Sequence, residues 1–143
     1  MKLLIIDDEK SIRNTLKDIL EFEGHEVHLA SDGVEGLAMA TSDNYEVIFS
    51  DIKMPNMDGM ELLDKLSEAN VDSSVIMISG HGSIDTAVEC IKKGAFDFIQ
   101  KPLDLNRILI TLRNATDKTI LVKETKNLKK RVSKIPEIVG ASP

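Results

Sequence analysis

The chain has 143 residues and a net charge of −6, with 42% hydrophobic and 29% charged residues. This composition is typical of a folded domain with one core and a short appendage. No apolar run approaches the roughly 18 residues of a membrane span, and the start of the chain turns acidic too soon for a signal peptide. The single cysteine, Cys90, excludes an internal disulfide and fits a reducing compartment. We therefore expect a cytoplasmic domain without membrane contact.

Charge is distributed unevenly along the chain. Residues 117–134 contain seven Lys or Arg and two acids, whereas the rest contains 22 acids and 11 basic residues. A body this acidic disfavours direct binding to nucleic acid, because nucleic-acid phosphates attract basic surfaces. The basic stretch is more typical of a solvated helix face. We expect no direct nucleic-acid binding by this chain.

Short apolar runs alternate with helical patterns from Lys2 to about Arg113. The strands are predicted at Leu3–Ile6, Glu26–Ala30, Val47–Ser50, Val75–Ser79 and Phe96–Ile99, and the helices near 10–23, 33–42, 58–69, 83–93 and from 104 onward. Three of the strands are continuously apolar, which indicates that helices cover both of their faces. Gly24 stands where a left-handed helix cap is favoured. Five strands, each followed by a helix, predict an α/β fold with a doubly wound parallel sheet.

The fifth helical pattern runs past the point where a single domain would end. No glycine or proline interrupts it between Pro102 and Pro136. Apolar or small residues recur at spacings of three and four, first at Leu105, Ile108, Leu112, Ala115, Thr119 and Val122, and then in a shifted phase at Leu121, Leu128 and Val132. We predict an extended C-terminal linker helix and a homodimer in which residues 105–132 of two chains pair as a short coiled coil. A frayed tail is the alternative.

Chemically distinctive residues stand at the ends of four predicted strands. They are Asp7, Asp8 and Glu9, then Asp51, Ser79 with Gly80, and Lys101 with Pro102. In a parallel sheet the carboxyl ends of the strands share one edge, where sites collect. Clustered carboxylates repel unless a cation compensates, and Mg²⁺ prefers carboxylate and phosphoryl oxygens. Each residue alone is more typical of a helix cap or a turn. Together they predict a magnesium-dependent phosphoryl-transfer site, since a carboxylate can attack phosphorus and a lysine can neutralise the phosphoryl oxygens.

Four segments give this chain a resemblance to a known family. They are Leu4–Glu9, Ser50–Gly59, Ile78–Gly82 and Phe98–Pro102. On these segments, residues 1–116 resemble the receiver domain of two-component response regulators. The resemblance implies a flavodoxin-like sheet of strand order 2-1-3-4-5 and a regulatory phosphoacceptor that catalyses only its own phosphorylation and dephosphorylation.

The resemblance also implies a role for each matching residue at the acidic end of the sheet. Asp51 would accept a phosphoryl group from a sensor histidine kinase. Asp8, Asp51 and the backbone carbonyl of Lys53 would hold Mg²⁺, with Asp7 in the same acidic pocket.

Four further residues receive roles from the same resemblance. Lys101 would contact the phosphoryl group, and the peptide bond to Pro102 would be cis. Ser79 would be the switch hydroxyl, although many relatives carry threonine there. Phe98 would be the switch aromatic ring, although many relatives carry a tyrosine whose hydroxyl can form a hydrogen bond.

The end of the chain resembles a particular subfamily. Gly94–Phe98 and the long fifth helix resemble activators of sigma-54-dependent transcription, and Ile138–Pro143 resembles the opening of their AAA+ ATPase module. This implies a receiver at 1–116, a helical linker at 117–135 and the start of an ATPase module at 136–143. The full-length protein would then carry AAA+ and DNA-binding modules. The chain itself contains no Walker motif.

Two other classes of protein share parts of this pattern. A magnesium-dependent phosphatase with an aspartyl phosphate intermediate would carry a second acid two residues after the nucleophile, where this chain has Lys53. A flavin domain of the same fold would place hydroxyls or glycines after the first strand. The three acids at 7–9 would instead repel the flavin phosphate. A stoichiometric phosphorylation assay separates the three classes.

Overall fold

The computed structural model describes residues 2–54, 56–80 and 84–117. In these residues strands and helices alternate in the order β1 (Lys2–Ile6), α1 (Lys10–Phe22), β2 (Glu26–Ala30), α2 (Gly33–Ser42), β3 (Val47–Asp51), α3 (Gly59–Glu68), β4 (Ser74–Ser79), α4 (Ile84–Lys92) and β5 (Asp97–Gln100). A fifth helix, α5, begins at residue 105 and continues to residue 117, the last residue that the structure describes.

The five strands form one parallel sheet in the order β2-β1-β3-β4-β5. This confirms the predicted doubly wound fold and its strand order. The order reverses between β1 and β3, which is where such sheets place their ligands. Ile6 pairs with Ser50 across these two strands, so Asp7 and Asp51 follow in step at the same edge.

Alternate residues of the central strands enter two different cores. Leu3 and Ile5 pack with α1 and α5, whereas Leu4 and Ile6 pack with α2, α3 and α4. Because successive strand residues point to opposite faces, a strand covered on both sides must be apolar at every position. This explains the continuously apolar runs in the sequence.

The predicted element boundaries agree with the structure to within about one residue at most ends. β3 extends to Asp51, β4 begins at Ser74 and β5 begins at Asp97, which is the usual uncertainty at strand ends. Gly24 has φ +94° directly after α1 and its cap residue, so the predicted left-handed cap is confirmed.

The expected role of α5 requires a correction. Ile108, Leu112 and Ala115 have relative exposures of 0%, 4% and 0% and pack in the core beneath α1 and α5. Three of the positions predicted to pair with a second chain, including Leu112, are therefore already buried in the domain's own core. The same spacing that suits a coiled-coil seam also suits a helix folded back on its own sheet. Leu105, the first seam position, is 51% exposed. The seam positions from Thr119 onward, the linker beyond residue 117 and residues 136–143 lie outside the described residues.

None of the helices in the described residues combines the length and apolar character needed to cross a bilayer.

Candidate functional site

Three aspartates meet at the carboxyl edge of β1 and β3. Asp7 and Asp8 follow β1, and Asp51 is the last residue of β3. One carboxylate oxygen from each lies within 4.8 Å of the others. Asp7 and Asp51 are 1% and 6% exposed, whereas Asp8 is exposed. The acids at the ends of two different strands therefore converge, as we predicted from a parallel sheet.

Asp7 is the most deeply buried of the three. Its Oδ1 accepts a hydrogen bond from the backbone N–H of Glu9 over 2.8 Å, whereas its buried Oδ2 has no hydrogen-bond partner in the described part of the chain. Burial raises the pKa of Asp7 to about 6, and the charges of Asp51 and Asp8 act in the same direction. Oδ2 of Asp7 therefore makes no hydrogen bond among the described residues, and positive charge reaches it through Lys101, whose Nζ lies 3.6 Å away.

Asp51 is held by the turn that follows β3. Its Oδ1 accepts the backbone N–H of Ile52 over 2.9 Å, and burial raises the pKa of its carboxyl while the charge of Lys101 opposes that shift. Gly59 packs closely against this turn, since a Cβ at Gly59 would lie 2.4 Å from the carbonyl oxygen of Asp51. Only glycine fits there, which accounts for Gly59 in the motif, whereas Asp58 caps α3 by accepting the N–H of Glu61.

Lys101 brings positive charge to the cluster from the end of β5. Its Nζ lies 3.1 Å from Glu9 Oε1, 3.6 Å from Asp7 Oδ2 and 3.7 Å from Asp51 Oδ2. Burial lowers the pKa of Lys101, but the hydrogen bond to Glu9 and the charges of the two aspartates outweigh burial and leave the pKa raised. The lysine is therefore a fixed cation.

The backbone around Lys101 is anchored to β4. Its N–H donates to the carbonyl of Ser79 over 2.8 Å, and the peptide bond to Pro102 is cis, the isomer that the resemblance implied.

A pocket of about 270 Å³ opens over the acids and the lysine. It is lined by Asp8, Glu9, Asp51, Lys53, Ser79, Gly80 and Lys101. Ser79 is buried at the end of β4. Phe98 is half-buried on β5, where it pairs with Met77 of β4 and packs against the core under α2, α3 and α4. The structure thus brings all the sequence-predicted residues to one edge except Phe98, which lies below the pocket.

The residues at this edge fit a divalent cation. The three carboxylates supply the hard oxygen ligands that such a cation prefers, and a buried oxygen of Asp7 makes no hydrogen bond in the described residues. A single lysine does not neutralise the negative charge of all three. Asp8 and Asp51 line the pocket together with Lys53, whose backbone carbonyl would be the further ligand according to the family resemblance.

Three contacts at the site were not anticipated from the sequence. Glu9 is the hydrogen-bonded partner of Lys101. Arg13 donates to the carbonyl oxygen of Asp7 over 2.6 Å, and the side chain of Asn56 bonds to Asp32. The partners in these contacts lie 92, 6 and 24 positions apart, so no spacing of three or four residues in the sequence indicated them.

Residues 3–113 match the family described as the response regulator receiver domain. The chain belongs to this family.

The curated relatives are regulatory proteins that are much longer than this chain. The nitrogen assimilation regulatory protein NtrX of Azorhizobium caulinodans is 40% identical over 129 residues, which cover 89% of this chain and 28% of that protein. The chain spans less than a third of the length of the curated relatives that it matches first.

Two solved structures are close to this fold. The beryllofluoride-activated NtrC4 receiver domain dimer has a TM-score of 0.77 at 41% identity, covering 82% of this chain and 97% of that chain. A chain of the CheX–CheY–BeF3–Mg complex from Borrelia burgdorferi has a TM-score of 0.78 at 33% identity, covering 81% of this chain and 89% of that chain.

Proposed function

We propose that this receiver domain is a phosphoryl-accepting switch in which Asp51 is the acceptor. The observation that carries the proposal is the position of Asp51. It is buried at the point where strand order reverses, beside Asp7 and Asp8 and within 3.7 Å of the Lys101 ammonium. Membership of the receiver family supports the same reading.

The proposed reaction is the transfer of a phosphoryl group from a phosphohistidine of a sensor kinase. A carboxylate oxygen of Asp51 attacks phosphorus, the P–N bond breaks, and the imidazole keeps the electron pair. The product is an acyl phosphate on Asp51. The chain contributes position and charge, which supply most of the acceleration in phosphoryl transfer.

The other residues of the pocket have supporting roles in this proposal. Asp8, Asp51 and the backbone carbonyl of Lys53 hold Mg²⁺, and Asp7 adds negative charge beneath them. When bound, the cation neutralises the charge of the phosphoryl oxygens. Lys101 leaves Glu9 and binds a phosphoryl oxygen, which a lysine can do as a point charge.

Signal output is proposed to pass through Ser79 and Phe98. The Ser79 hydroxyl turns toward the phosphoryl group, and the Phe98 ring takes the space that this opens near β4. The surface formed by α4, β5 and α5 changes shape as a result.

The wider organisation is also a proposal. We assign residues 1–116 to the receiver, 117–135 to a helical linker and 136–143 to the start of an AAA+ module. The full-length protein would be a cytoplasmic sigma-54-type transcription activator with a DNA-binding module. Dimerisation of the chain would control the ATPase, and the beryllofluoride-activated NtrC4 receiver is itself described as a dimer.

Labelling with acetyl phosphate tests the proposed function. The chain should gain one phosphoryl group in the presence of Mg²⁺ and none in EDTA, as measured by intact mass. Asp51→Asn should abolish labelling, whereas Asp72→Asn, an exposed acid before β4, should not change it. Undiminished labelling of Asp51→Asn would place the nucleophile elsewhere and overturn the assignment.

A further inference from the structure

The loop between β3 and α3 is fastened to the start of α2 by a side-chain hydrogen bond. Asn56 Nδ2 donates to Asp32 Oδ2 over 3.0 Å, between residues 24 positions apart in the chain. Asn56 has φ +70°, a left-handed conformation that asparagine tolerates better than most residues. The loop therefore carries a residue suited both to its backbone and to this contact.

Asp32 is itself held in place by α2. It is the N-cap residue of the helix, and its Oδ1 accepts the backbone N–H of Glu35 over 2.8 Å. The hydrogen bond from Glu35 and the one from Asn56 both hold the pKa of Asp32 below its usual range. One oxygen of the carboxylate thus caps the helix while the other holds the loop.

The backbone of the same loop rests directly on α2. A Cβ at Gly33 would lie 2.4 Å from the carbonyl oxygen of Met57, so only glycine allows this approach. The two ends of the loop are joined by a hydrogen bond, in which the N–H of Gly59 donates to the carbonyl of Ile52 over 2.6 Å. These contacts fix the loop on both sides of the position where Lys53 lines the acidic pocket.

We propose that Asp32 and Asn56 are positioning residues for the cation site, acting through the loop that carries Lys53. This inference rests on the proposed function, because it assumes that the Lys53 carbonyl is a ligand of Mg²⁺. Neither side chain lines the pocket. Groups that orient metal ligands without touching the metal affect metal affinity strongly.

Exchanging the two residues gives a sharp test. In Asn56→Asp two carboxylates face each other, so the loop is pushed away from α2. In the double variant Asp32→Asn with Asn56→Asp, the amide at 32 can cap α2 through its oxygen and donate to the carboxylate at 56 through its nitrogen. The double variant has the same net charge as the parent chain. Asp32→Ser keeps a capping oxygen, but the shorter side chain cannot reach Asn56. Its control is Asp72→Ser, which removes one exposed acid elsewhere.

The measurements are Mg²⁺ binding by calorimetry on the 143-residue chain and the Mg²⁺ dependence of labelling by acetyl phosphate. We expect Asn56→Asp and Asp32→Ser to bind Mg²⁺ about threefold to tenfold more weakly, and the double variant and Asp72→Ser to bind it as the parent does. The Mg²⁺ concentration for half-maximal labelling should rise by the same factor while the rate at saturating Mg²⁺ stays unchanged. Thermal unfolding in EDTA should be the same for the parent and the double variant.

Three results would overturn the inference. If the parent binds Mg²⁺ and both single variants bind it equally well, or if the double variant stays as weak as Asn56→Asp, the contact does not position the site. If the parent neither binds Mg²⁺ nor accepts a phosphoryl group, the proposed function fails and this inference fails with it.

Discussion

Lys101 Nζ lies closer to Glu9 than to the proposed phosphoryl acceptor, at 3.1 Å from Glu9 Oε1 and 3.7 Å from Asp51 Oδ2. The lysine that would bind the phosphoryl group is therefore engaged by a neighbouring acid before phosphorylation. For Nζ to reach a phosphoryl oxygen, the contact with Glu9 has to lengthen. Glu9 thus competes with the phosphoryl group for the same cation.

Glu9→Gln should strengthen the binding of a phosphoryl mimic. The side chain of Glu9 is 57% exposed, so solvent screens the ion pair and its loss is worth only about 0–1 kcal/mol. We expect beryllofluoride, measured by calorimetry at saturating Mg²⁺, to bind about twofold to fivefold more tightly. Glu68→Gln, at the far end of α3, is the matched control. Weaker beryllofluoride binding by Glu9→Gln would mean that Glu9 assists the site rather than opposing it.

The stability of the metal-free domain should fall as pH rises through the titration of Asp7. The pKa of Asp7 is raised from 3.8 to about 6 in the fold. A raised pKa means that the folded state binds the proton more tightly than the unfolded state does. The favourable contribution is therefore complete below pH 3.8 and is lost as pH passes about 6. The loss is on the order of 3 kcal/mol.

Urea unfolding in EDTA between pH 4 and 7.5 measures this effect. Asp7→Asn keeps an oxygen for the Glu9 N–H and cannot ionise, so the downward slope should flatten. Mg²⁺ should restore stability at the higher pH, because the ionised carboxylates that destabilise the empty site attract the cation. An Asp7→Asn variant with the same pH slope as the parent would assign the effect to another group.

Gly59→Ala should destabilise the domain, although alanine is normally preferred to glycine in a helix. An added Cβ would lie 2.4 Å from Asp51 O and 2.8 Å from Ile52 Cα, and backbone atoms cannot turn aside. We expect a loss of about 1–3 kcal/mol in the free energy of unfolding. At Gly80 the nearest atom to an added Cβ is Lys101 Cδ at 3.6 Å, so Gly80→Ala serves as the control. Equal stability of the two variants would contradict the close approach.

The sequence predicted the sheet and the site for the same physical reason. Parallel strands covered on both faces must be apolar throughout, so residues such as Leu4 and Ile48 marked the strands. The polar residues that follow them had to meet at one edge. What could not be predicted was the partner of each side chain. Asn56 and Asp32 form a contact that no local spacing encodes, and Leu112 has a helical spacing that suits either a partner helix or the domain's own core.

Substitution of Ser79, the proposed switch hydroxyl, should separate phosphoryl labelling from the conformational response. Ser79 lines the pocket, whereas Phe98 packs below it beside β4. Ser79→Ala should accept one phosphoryl group, because neither the acceptor nor the expected cation ligands change. The Phe98 ring should then fail to shift on addition of beryllofluoride and Mg²⁺, as followed by aromatic NMR signals. A normal ring shift in Ser79→Ala would show that the conformational change does not depend on this hydroxyl.

Dimerisation should depend on the residues after 116 less than the apolar spacing alone suggested. Because Ile108, Leu112 and Ala115 are buried in the domain itself, a coiled coil can use only the exposed Leu105 and the seam positions from Thr119 onward. Burial of each large apolar side chain at these positions would favour association by on the order of 1.5–3 kcal/mol, against association costs of roughly 4–15 kcal/mol. The exposed apolar residues on α4, which include Ile84, Val88 and Ile91, offer a second surface.

A chain shortened to end at Thr116 should therefore form a weaker dimer than the 143-residue chain, without losing dimerisation altogether. Sedimentation velocity with beryllofluoride and Mg²⁺ gives the two dissociation constants. Val88→Ser, which removes an exposed methyl pair without touching the core, should weaken both dimers further. If the shortened and the full chain dimerise equally, the residues after 116 are a passive linker. If the shortened chain is monomeric at every concentration, the later seam positions supply the whole interface.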